Sequence, residues 1–161
     1  MRMHRSGSWL SLARQAVSIG IDYGTHAIEA LAWVAETVEE SVYEAGSLVR
    51  SGPDLRFALD NPPLRVGAFR SVRVLVDRVP LPAERVELRA GPGTPWRSAA
   101  ALTADAPLAF GPGERLEFRL VGGAPSTAEP LVIRLEFETS AIPPTVWLVI
   151  RDRPRAIAEA A

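Results

Sequence analysis

The chain has no cysteine and no lysine, two histidines, one asparagine and one glutamine. Without cysteine there are no disulfides, no thiolate nucleophile and no cysteine-ligated zinc. Two histidines, His4 and His26, are too few for a multi-histidine metal site. All 18 basic residues are arginine and stand against 19 acidic ones, a formal net charge of -1. That balance gives no global grip on nucleic acid or on an anionic membrane. No charge-free run approaches the ~18 residues that span a bilayer. Arg2 and Arg5 precede an apolar stretch, as in a secretion signal, but Arg14 and Gln15 interrupt it and no small-x-small cleavage site follows. A cytoplasmic protein is therefore expected, with no membrane contact. Scarce side-chain amides and 14 prolines fit a high-GC bacterium or a thermophile.

What is present fits one globular domain: 161 residues, 47% hydrophobic and 23% charged. All the prolines lie beyond residue 52, and Ser51-Gly-Pro-Asp54 divides the chain. Before it, small or apolar residues recur at Leu10, Ala13, Val17, Gly20, Gly24, Ile28, Leu31, Ala35, Val38, Val42, Ala45 and Val49. Steps of three and four predict a helix over 8–50, kinked near 18–26 where Gly20 and Gly24 weaken it, and capped by Ser8. At about 1.5 Å per residue it would extend roughly 60 Å, too far for a sandwich alone to cover. Its centre, Ala27–Ala35, is apolar nearly all round, which asks for burial on more than one side. Glu36, Glu39, Glu40 and Glu44 read as a solvated stripe.

After the divide, apolar and charged residues alternate with period two at 55–59, 72–77, 116–120 and 131–138. Shorter runs lie at 86–88 and 108–110, and 146–150 is continuously apolar. Gly and Pro clusters separate them. The expected fold is α+β: a long N-terminal α-helix followed by an antiparallel, seven-stranded, Ig-like β-sandwich. Its parts would be a disordered 1–7, the helix 8–50, a linker 51–54, the sandwich 55–151 and a tail 152–161. Glu117, Arg119, Arg134, Glu136 and Glu138 would form a charged outer ladder.

The motif Ile19-Gly20-Ile21-Asp22-Tyr23-Gly24-Thr25 resembles the first phosphate loop of the actin, heat-shock chaperone and sugar-kinase superfamily, a strand entering a tight turn. That fold needs two α/β subdomains and a second Asp-bearing loop, which this chain lacks. The seam runs through the motif in register, so helix is preferred, with Gly20 and Gly24 as a close-contact pair for another helix. His26 reads as a packing residue, and Asp60, Asp77 and Asp105 as turn formers. Trp33 and Trp147 read as core. The stretch Val74-Leu-Val-Asp77-Arg-Val-Pro80, with Val86-Glu-Leu88, resembles the β-sandwich small subunits of C-glycoside deglycosidases, with Arg78 where a turn glycine is expected. The resemblance covers under 20 residues and carries over no functional residue.

The expected function is a non-enzymatic structural or assembly protein without metal or cofactor. Its partners would be itself, as a homo-oligomer, or other subunits of a larger complex. The interface would be Gly20, Gly24, Ala27, Ile28, Leu31, Trp33, Val34, Ala35 and Val38 of the helix. Trp96 and Arg97, in a Gly/Pro-rich loop, are a candidate partner contact. The alternative is an accessory subunit or ligand-binding module of an enzyme complex, with Trp96 as a sugar-stacking platform.

Overall fold

The computed structural model describes residues 17–22 (backbone), 42–60, 68–111, 113–126, 129–140 and 145–157. These contain the strands β1 (Val17–Asp22), β2 (Val49–Ser51), β3 (Asp54–Asp60), β4 (Phe69–Val76), β5 (Val79–Leu81), β6 (Val86–Ala90), β7 (Arg97–Ser98), β8 (Arg115–Leu120), β9 (Leu131–Thr139), β10 (Thr145–Asp152) and β11 (Arg155–Ala156). Single 3-10 turns lie at Ala83–Arg85 and Ala99–Ala101. One sheet has the order β1-β10-β9-β4-β5 and the other β11-β2-β3-β8-β6-β7. Every pairing is antiparallel except β11 with β2.

The period-two pattern decides which side chains enter the core. In β9, Leu131, Ile133, Leu135, Phe137 and Thr139 are buried, while Arg134 and Glu138 are exposed. In β8, Leu116, Phe118 and Leu120 point in, and Arg115, Glu117 and Arg119 point out. All five phenylalanines join one aromatic chain through the core. Phe57 stacks on Phe118 at 4.9 Å, and Phe118 meets Phe137 of the opposite sheet edge-on at 6.3 Å. Each such buried ring contributes about 1.5–3 kcal/mol by leaving water.

The N-terminal half corrects the helix expectation. No helix of seven or more residues occurs among the described residues. Val17–Asp22 is a strand, with Val17, Ile19 and Ile21 in register with the inward residues Ile150, Leu148 and Val146. Val49–Ser51, the expected end of the helix, is also a strand. β-Branched residues alternating with Ser18, Gly20 and Asp22 suit a sheet better than a helix. The largely apolar segment 27–35 and the seam residues 24–38 lie outside the described residues, as do the terminus 1–7 and both histidines. In the sandwich, 55–59, 72–76, 86–88, 116–120, 131–138 and 146–150 are strands as expected, whereas Leu108 makes only an isolated bridge to Phe69. Past residue 152 the chain crosses to the other sheet and adds β11.

Two local devices fix the geometry. Tyr43 donates a hydrogen bond from its hydroxyl to Asp152 Oδ2 at 2.6 Å. The N–H of Gly46 donates to the same oxygen at 3.3 Å, so Asp152 binds the crossover to the segment leading into β2. Tyr43 is 7% exposed. Burial, then the hydrogen bond and negative charge of Asp152, hold its hydroxyl well above the ordinary tyrosine pKa. The second device is the two-residue turn between β4 and β5. Both Asp77 (φ 47°) and Arg78 (φ 71°) adopt the left-handed conformation, as a type I′ hairpin requires. Asp77 is anchored there: its N–H donates to Val132 O, and its carboxylate accepts from Val132 N–H. Arg78 has no such anchor.

Candidate functional site

The outward face of the six-stranded sheet carries an ordered array of charge. Register sets Glu87 opposite Arg119 and Glu117 opposite Arg89, and both pairs form ion pairs. Arg115 reaches Glu44, Asp60 and Glu117. Trp96 lies over this array. The loop before it turns back at Gly91 (φ 82°) and Gly93 (φ 85°), a conformation that glycine adopts without strain. The Thr94 hydroxyl donates toward Ala90 O and Gly91 O. The guanidinium carbons of Arg89 and Arg119 then sit 4.6 Å and 5.0 Å from the Trp96 ring centroid, within cation–π range. Beside the ring opens a hollow of about 190 Å³, lined in part by Ser47, Arg56, Ala58, Arg89, Trp96, Arg115 and Glu117. Ala58 points outward yet is 2% exposed, so it forms the floor.

The outward face of the five-stranded sheet is different. Its centre is apolar, with Leu75 and Val132 half-buried and Val149 buried. Register sets Leu75 and Val149 on either side of Arg134, and Val132 beside Arg151. The guanidinium carbon of Arg134 lies 5.1 Å from the Trp147 ring centroid. A hollow of about 640 Å³ occupies this face, lined by Leu75, Val132 and Val149 with Arg73, Arg78, Arg134 and Arg151 against Asp77 and Glu136. Glu136 pairs with Arg73 and Arg134. Among the described residues, the guanidinium groups of Arg78 and Arg151 have no ion-pair or hydrogen-bond partner.

Of the residues singled out in the sequence, Trp96 is at a site and Arg97 serves the scaffold. Arg97 donates to the carbonyls of Pro107 (3.2 Å) and Ala106 (2.9 Å), tying down the following loop. Gly20 lies in β1 opposite Trp147. Gly24, Ala27, Ile28, Leu31, Trp33, Val34, Ala35 and Val38 lie outside the described residues. The expected charged ladder is split: Arg134, Glu136 and Glu138 belong to one outer face, Glu117 and Arg119 to the other. Sequence reading missed Arg56, Arg89 and Arg115 around Trp96. Each occupies an outward parity position of its strand, which the sequence shows, but only the fold brings those strands together around Trp96.

Among the described residues, no cluster of three or more His, Asp or Glu side chains is placed to hold a metal ion. No helix among them is long and apolar enough to cross a membrane. No protein-family model and no curated protein matches the chain.

Proposed function

We propose that this protein is a non-catalytic assembly module that associates with further copies of itself through the outer face of its five-stranded sheet. One observation carries the reading: apolar Leu75 and Val132 stand where an antiparallel sheet facing water places polar residues. Arg78 and Arg151, unpaired among the described residues, rim them. Four arginines against two acids make the hollow positive, while the chain carries -1 overall. The complementary negative surface therefore belongs to the rest of the same chain. Two such faces repel one another, so the contact is head-to-tail and builds a ring or a filament rather than a two-fold pair. A cytoplasmic location is part of this reading, and cell fractionation checks it.

Light scattering after size exclusion tests the proposal. The native chain should run as a multiple of 17.4 kDa at high micromolar concentration. Leu75→Glu, which places a buried charge in the contact, should run as a folded monomer. A native chain that stays monomeric overturns the proposal. A second reading, a ligand-binding module, is favoured by the Trp96 hollow on the opposite face.

A further inference from the structure

We infer that the hollow beside Trp96 is a receptor for a carboxylate-bearing ligand of monosaccharide size, a uronate, taken either free or as the end of an acidic polysaccharide. The argument starts from Arg56. Register places Arg155, Val49, Arg56 and Arg119 in one row across β11, β2, β3 and β8. Arg119 is answered by Glu87, and Arg155 donates to Gly46 O. Arg56 is exposed and, among the described residues, its guanidinium has neither an acid nor an acceptor. Like charges directly opposite each other across a strand pair destabilise a sheet. Stability therefore gives no reason for an arginine here, whereas an incoming carboxylate does. A guanidinium takes a carboxylate through two parallel hydrogen bonds.

The remaining walls define the body of the ligand. The Trp96 ring is held by Arg89 and Arg119 and offers an apolar surface to a sugar ring. Ala58 leaves the floor flat. Glu117 supplies acceptor oxygens for hydroxyl groups. Ser47 closes the wall, its hydroxyl engaged by the Ala58 N–H at 3.1 Å and by the Tyr43 hydroxyl. About 190 Å³ holds one sugar ring. A neutral sugar leaves Arg56 unanswered, and a small anion such as acetate leaves Trp96 unused. The site lies on the face opposite the proposed assembly contact and stands independently of it.

Isothermal titration of the full chain with glucuronate tests this, with glucose and acetate as controls and a short oligogalacturonide as the polymeric probe. Glucuronate should bind, and both controls should bind at least about tenfold more weakly. Arg56→Gln should weaken glucuronate by about tenfold or more. Arg56→Glu should abolish binding without lowering the melting temperature, because the new carboxylate faces Arg119 and relieves the repulsion. Tighter binding of the oligogalacturonide identifies a polysaccharide end as the ligand, and equal binding identifies the free acid. Silence with both acidic probes overturns the inference. So does binding indifferent to Arg56→Gln, or binding shared equally by glucose or acetate.

Discussion

On the six-stranded face, Glu87, Glu117 and Asp60 each lie directly across a strand pair from an arginine: Arg119, Arg89 and Arg115. On the five-stranded face, Arg134 lies across from Leu75 and Val149, and Arg151 across from Val132. Both faces hold the same kinds of charged residue at outward positions. They differ in register: one is a set of closed pairs, whereas on the other Arg73 faces Glu136 but Arg134 and Arg151 stand beside apolar side chains. The closed face needs nothing further except at Arg56. The open face combines apolar surface with unanswered positive charge, the chemistry of an interface centre and its rim. Pairing register, more than composition, thus separates a self-contained surface from the one on which the proposed assembly contact rests.

The same substitution on the two faces is the sharpest way to break this comparison. Glu117→Gln removes the acid from Arg89 and Arg115 where the Arg89–Glu117 side chains are only 27% and 21% exposed, and should cost about 1–3 kcal/mol of stability. Glu136→Gln breaks pairs whose arginines are 61% and 46% exposed, and should cost under about 1 kcal/mol. Urea unfolding of both variants measures the difference. Equal costs would mean that register does not distinguish the faces.

The seam joining the two sheets responds to pH instead. The raised pKa of Tyr43 means that the folded state keeps its hydroxyl protonated. That contribution is complete below about pH 10, the ordinary tyrosine value, and is lost as pH climbs through the higher folded-state pKa. Tyr43→Phe should cost about 1 kcal/mol at neutral pH by taking the hydroxyl donor from Asp152, which keeps only backbone N–H donors among the described residues. It should also flatten the fall in stability on the alkaline side. A variant with the native alkaline slope would show that another group titrates there.

The smallest effect belongs to the hairpin tip. Arg78→Gly relieves a left-handed non-glycine residue and should raise stability by about 0.5–1 kcal/mol. It also removes a guanidinium from the rim of the open face, so assembly should weaken while the melting temperature rises. A variant both more stable and equally assembled would remove Arg78 from the contact.

Much of the sandwich was legible, because alternation in 55–59, 116–120 and 131–138 reflects directly which side chains face the core. Residues 17–22 were not read correctly. A seam that admits glycine and alanine is easily satisfied, so Val17 and Gly20 matched helical spacing by chance. The alternation Val17, Ile19, Ile21 was the better signal, and the strand-then-turn reading of that motif contained it. The short strands β2, β5, β7 and β11 have two or three residues each, too few for a period to show. Trp96 was visible as an unusual loop residue. Its true partners, Arg89 and Arg119, were not, because they come from strands whose adjacency only the fold establishes.

The absolute mass of the native chain in solution, measured beside Leu75→Glu and Arg56→Glu, tests the difference between the faces most directly. The native chain and Arg56→Glu should share one assembled mass, and Leu75→Glu should fall to 17.4 kDa. A native monomer, or an assembly dispersed by Arg56→Glu and untouched by Leu75→Glu, would contradict the account.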